Sequence, residues 1–281
     1  MRKPRWRYTR RKLAKGLLPL FAPLILSPIA TPVATTMAKP DSKRIKARIS
    51  DYKVLKFNQV AFNLYNHMDL QGQGLRFEVF DKALTGYYNL RREQKLSEKP
   101  IITIVDFTKS STEKRLWVLD LSNKEVLYNT YVSHGRNSGE EYAENFSNDT
   151  GSYMSSIGFY VTQAPYYGKH GLSLRLDGMD EAYNSNALDR CIVMHGAEYA
   201  SENVIDLTGR LGRSLGCPAI PMEHHEEIIN TVVGGTTLYV HAADDAYTSQ
   251  YLDQVNAMAE LVQEESGEKA ALGATPNLAS R

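Results

Sequence analysis

Apolar residues recur along this chain at two periods, and the change of period divides it. Val54 to Asn66 and Leu75 to Gln94 carry them at helical spacing. In the second stretch Phe77, Phe80, Leu84 and Tyr87 step by three and four residues onto one face. These two helices read as a lid or buttress for the domain after them. From Pro100 the pattern is that of strands: Ile101 to Phe107, Leu116 to Asp120 and Val126 to Val132 are short and β-rich, separated by turn residues such as Ser122-Asn123. Ser156 to Thr162, Leu172 to Leu176 and Cys191 to His195 extend the set. Pro221 and an acid-rich first turn predict a short helix to Asn230. Gly234-Gly235 then turns into a last strand, Thr236 to Ala242. Tyr251, Val255, Met258 and Val262 predict a final amphipathic helix, and the small polar residues from Ser266 a disordered tail. The expected fold is mainly β with flanking helices. A polar leader and helical segment (39–99) precede a compact β domain (100–243), and an amphipathic helix and tail (244–281) come after it.

The net charge of +1 is an average over two unlike parts. Residues 1–38 hold eight Lys/Arg and no acid, leaving 25 basic against 32 acidic residues beyond them, a net −7. That argues against nucleic acid as the partner, since phosphate binding needs a basic face. The basic start is followed by an apolar segment, Leu17 to Ala30, broken by Pro19, Pro23 and Pro28. It is too short and proline-rich to span a membrane. With small residues around Thr36-Met37-Ala38, this reads as an export signal that leaves no stable membrane insertion once removed. The expected location is the periplasm or cell wall. Thr9-Arg10-Arg11-Lys12-Leu13-Ala14-Lys15 is similar to a twin-arginine signal. An ordinary secretory signal is the other reading.

The chemistry concentrates between Ile192 and Pro221. An apolar run ends in His195-Gly196, and after a loop comes Ser214-Leu215-Gly216-Cys217, with Pro218 next. A cysteine after glycine in a turn is open to close approach, and a histidine at the end of a strand is held rigidly. Together they are the ingredients of a thiol nucleophile and its base. The only other cysteine, Cys191, lies roughly 13 Å from His195 on an extended strand, so it reads as a small buried apolar residue unpaired with Cys217.

This stretch resembles the L,D-transpeptidase catalytic domain, the YkuD-type β-sandwich fold, whose His-Gly and Ser/Thr-x-Gly-Cys are matched by His195-Gly196 and Ser214-Leu215-Gly216-Cys217. Ile101 to Gly135 resembles the family's opening hairpin and Ser156 to Tyr160 a later segment, so the likeness covers roughly half the chain in order. Two positions depart: Leu215 stands where the family has a second histidine, and Ala219 where it has Arg or Asn. The resemblance implies a cysteine enzyme acting on peptidoglycan stem peptides through a thioacyl-enzyme, an amine of a second stem completing a crosslink. It implies no metal and no organic cofactor. Water as acceptor makes the same site a carboxypeptidase or endopeptidase, and loss of activity makes it a wall-binding protein.

Within that reading Cys217 is the nucleophile and His195 the base. Backbone N–H groups of Gly216 and Cys217 are candidate oxyanion donors, since Pro218 has none. Ser214 either orients His195 or caps the turn. Arg213 and Arg210 are candidates to hold a stem carboxylate in place of the missing basic residue. His134 and His170, each followed by glycine in a loop, are candidates to line the pocket with Gly196. His224-His225 is expected on a solvated helix face, since helical neighbours point about 100° apart and do not readily share a metal. His241, at a strand end, reads as structural.

Overall fold

The computed structural model describes residues 42–273, with side chains to 264. The export signal expected over 1–38 and the end of the tail lie outside them. Helices α1 (Ser42–His67) and α2 (Phe77–Arg92) come first, then strands β1 (Ile101–Asp106), β2 (Leu116–Asp120), β3 (Glu125–Thr130), β4 (Gly158–Gly168), β5 (Gly171–Gly178) and β6 (Val193–Ala197). Helix α3 (Glu202–Thr208), β7 (Ala219–Pro221), α4 (His225–Val232), β8 (Thr237–His241) and α5 (Gln254–Gly273) complete the order. The strands hydrogen-bond in the order β3-β2-β1-β8-β4-β5-β6-β7. The β1–β8 and β6–β7 pairs are parallel and the rest antiparallel.

The central strands are buried on both faces, so each alternates between two apolar layers. Ile102, Ile104, Trp117, Leu119, Phe159, Val161 and Tyr239 pack with α1, α2 and α5. The intervening Ile101, Val105, Leu116, Val118, Tyr160, Leu238 and Val240 join β5, Met194, Ile220 and α4 on the other side. The flanking helices are thus a buttress sharing a core with the sheet. Asn89 of α2 ties the C-terminal segment to it by donating to the carbonyls of Tyr251 and Asp253, at 2.9 Å each.

Element boundaries differ from expectation where burial does not mark them. Helix α1 begins at Ser42, inside the expected leader, although its first buried residue is Phe57. Pro221 ends β7 instead of opening a helix; β7 is last in the sheet order, where proline is tolerated. Among the side chains of α5 described, to Glu264, the buried ones are Ala257 and Leu261, whereas Val262 is 46% exposed. The helix also continues to Gly273, past the expected start of the tail.

Candidate active site

Strand β6 sets the site. Met194 points into one apolar layer, and the pleat sends its neighbour His195 to the opposite face. His195 pairs with Ser173 of β5 on one side and Ala219 of β7 on the other. It is 2% exposed, and its Nδ1 lies 2.8 Å from the Gly196 carbonyl. His170, in the β4–β5 turn, stacks on it with ring centroids 4.2 Å apart and planes 23° from parallel. Burial lowers the His195 pKa, and the neighbouring His170, Lys169 and His225 push the same way.

Gly196 is required by packing. A Cβ there would lie 2.6 Å from His225 Cγ and 2.7 Å from Met222 Sδ. His225 is therefore buried beside β6 and not on a solvated face as expected, its Nδ1 2.8 Å from the Met222 carbonyl. Helical periodicity alone did not reveal this. The signal that could have done so is the glycine after His195, which marks a close approach.

The cysteine turn is held from two sides. Ser133 and Ala219 exchange backbone hydrogen bonds, and Ser214 N donates to His134 O at 2.9 Å. Within the turn Ser214 Oγ donates to Cys217 O at 2.6 Å and accepts from Gly216 N at 3.0 Å. Ser214 thus has the turn-capping role of the two open to it. The Gly216 N–H is engaged by it, so of the two expected oxyanion donors one is already given to the turn itself. Gly216 has φ +123°, and a Cβ there would lie 2.7 Å from Met154 O. Leu215 turns outward, 53% exposed.

The Cys217 thiol donates to Cys191 O at 3.7 Å, and among the described residues no hydrogen bond joins it to His195. Cys191 is exposed, with φ +56°, and not buried as expected: the chain leaves the sheet line there before β6 begins. Both cysteines are free. Burial pushes the Cys217 thiol up, against an opposing pull from the Val193 backbone and the Arg190 guanidinium. Arg190 is anchored by donating to Ser147 O and Met154 O, both at 2.6 Å. Tyr199 is a further neighbour; burial, then the adjacent Cys217, raises its hydroxyl to about 12. Sequence periodicity marks neither residue: Arg190 lies in the irregular turn before β6, and Tyr199 in a single helical turn directly after it.

The remaining candidates lie around this centre. Arg213 and Arg210 share Glu140, at 2.7 and 2.8 Å, and Arg213 also donates to the Arg136 and Gly139 carbonyls. His134 is 1% exposed. Its Nδ1 accepts from Arg115 at 2.8 Å, leaving Nε2 to donate to Gly139 O at 3.3 Å. Burial, then Arg115, lowers it to about 4, so it is a neutral support of the 135–139 loop. His170 and Lys169 are both exposed, and both act on His195, His170 by stacking and Lys169 by its charge. Among the described residues no His/Cys/Asp/Glu cluster could hold a metal.

The sequence model of the L,D-transpeptidase catalytic domain matches residues 71–241, from before α2 to the end of β8. Similar solved structures include an L,D-transpeptidase from Mycobacterium smegmatis, 13% identical, with TM-score 0.33, covering 51% of this chain and 59% of that one. L,D-transpeptidase 3 from Mycobacterium tuberculosis is 12% identical, with TM-score 0.33 and coverage of 51% and 61%. The helical cell shape determining protein from Campylobacter jejuni is 13% identical, with TM-score 0.35 and coverage of 66% and 65%. The chain thus spans under two thirds of the length of each. A comparison with curated proteins finds no match.

Proposed function

The chain belongs to the L,D-transpeptidase catalytic domain family, whose members act on peptidoglycan stem peptides, and from that premise we propose that it is an exported, Cys217-dependent L,D-transpeptidase. The observation that carries the reading is the placement of Cys217. It sits in a turn braced by the 133–136 segment, two residues before Ala219, which pairs with His195.

Both groups start neutral: burial disfavours the thiolate and the imidazolium alike. Transfer begins when the thiol leaves the Cys191 carbonyl and gives its proton to His195. The sulfur then attacks the stem carbonyl carbon, with Cys217 N–H facing the developing oxyanion; such a donor is worth about 3 kcal/mol. Collapse breaks the C–N bond, and His195 returns its proton to the departing amine. The acceptor amine attacks the thioester and loses a proton to His195; the sulfur leaves as thiolate and takes that proton, restoring the neutral thiol and imidazole. Arg213 and Arg210 share the single carboxylate of Glu140 and keep a net positive charge between them, so they stand beside the exposed Lys169 as candidate cations for a stem carboxylate.

The test is incubation with a tetrapeptide stem ending in D-alanine, with and without an acceptor amine. A covalent adduct on Cys217 and an amide-linked product are expected, with Cys217→Ala abolishing both and Cys191→Ala retaining both. Release of D-alanine at the same rate without acceptor would assign hydrolysis instead. Turnover by Cys217→Ala would overturn the thiol mechanism.

A further inference from the structure

Helix α1 carries two apolar faces, and the core uses one. Phe57, Ala61 and Tyr65 are buried. Upstream, Ile45, Ile49 and Tyr52 are 41, 52 and 59% exposed. At about 100° per residue these three fall within an arc of about 60°, turned well away from the core-facing positions. On the same wheel Arg48 and Arg44 lie along one flank of this stripe, and Lys53 and Lys46 along the other. Lys56 lies within it, its Nζ 5.7 Å from the centre of the Tyr52 ring. Asp51 is the sole acid between residues 42 and 56, in a chain that is net acidic beyond residue 38.

We propose that the N-terminal half of α1 lies on the surface of an anionic lipid bilayer. Ile45, Ile49 and Tyr52 enter the boundary between headgroups and acyl chains, and the flanking cations meet the lipid phosphates. The charge and the apolar stripe select this partner jointly. A wall polymer would use the cations and leave the stripe in water; an apolar protein groove would cover the stripe without needing cations on both flanks. This is attachment along the surface: among the described residues no helix is long and apolar enough to cross a membrane.

Both apolar layers are drawn from residues 57–261, so a chain beginning at Lys39 keeps the whole core and lacks the apolar segment at 17–30. That chain is sedimented with phosphatidylcholine vesicles and with mixed phosphatidylcholine/phosphatidylglycerol vesicles, at low and high salt. Binding to the mixed vesicles alone, weakened by salt, is expected. Ile49→Glu/Tyr52→Glu and Arg44→Glu/Arg48→Glu should each lower the partition by at least about ten-fold. All four positions are outward-facing, so circular dichroism and Tm should not change. No sedimentation with mixed vesicles, equal binding to neutral ones, or indifference to both variants would overturn the proposal. So would retention on isolated wall sacculi, or self-association lost in the variants, without vesicle binding.

Discussion

Cys217 and His195 are perturbed in opposite senses by one cause, and that favours the neutral thiol and the neutral imidazole at rest. Burial holds the thiol above its ordinary range and the imidazole below its own. The thiolate forms only as pH rises, so alkylation of Cys217 by iodoacetamide should still be climbing above the usual thiol pKa of about 8.5. A plateau near neutrality would show a preformed ion pair. Arg190→Gln removes a cation that stabilises the thiolate and should shift the profile further alkaline; an unshifted profile would leave Arg190 only its hydrogen bonds to the loop. At Gly196 the prediction is steric. Gly196→Ala sets a methyl against His225 and Met222 and should destabilise by about 1–3 kcal/mol. Combining it with His225→Ala should recover part of the lost Tm. Additive losses in the double variant would mean that the contact with His225 does not set the constraint.

At the scale of elements, the site is a junction of one strand, one hairpin turn and one loop, and these were unequally legible. The central strands could be read from sequence because burial on both faces makes them short, continuous β-rich runs, whereas the three-residue β7, ending in Pro221, could not. The His-Gly and Ser-x-Gly-Cys segments could be read as a nucleophile turn and a strand end. What periodicity could not supply was the long-range register: the pairing of Gly196 with Ile220 that brings His225 inward, the reach of Arg190 into the 147–154 loop, and the capture of Arg213 and Arg210 by Glu140. The β4–β5 turn obeys the same logic. It carries His170 onto the His195 ring, and stacked aromatic pairs contribute about 0.5–1.5 kcal/mol. His170→Ala should therefore slow acylation by about two- to ten-fold, while His170→Phe keeps the stack and most of the rate. Equal loss in both would point to the imidazole nitrogens.

For the whole molecule, the question is which parts outside the strands the fold depends on. The C-terminal segment contributes Tyr251, Ala257 and Leu261 to the helical layer, and Phe159 meets the Tyr251 ring at 6.0 Å. It also supplies two of the three carbonyls to which the buried Asn89 Nδ2 donates, the third being Thr85 O. Burying a large apolar side chain contributes about 1.5–3 kcal/mol, and each hydrogen bond lost from Asn89 costs about 0.5–1.5 kcal/mol. Together these approach the roughly 5–15 kcal/mol by which a domain is stable. A chain from Lys39 ending at Ser249 should therefore fail to fold cooperatively, although it keeps every strand and every candidate catalytic residue. A chain ending at Glu264 retains all three apolar anchors and the Arg91–Glu264 pair at 2.7 Å, and should melt within a few degrees of the longer form. Thermal unfolding monitored by far-UV circular dichroism distinguishes the two. If the chain ending at Ser249 melts sharply near the parent Tm, the sheet holds without its C-terminal buttress, and the helical layer is an accessory to the catalytic domain.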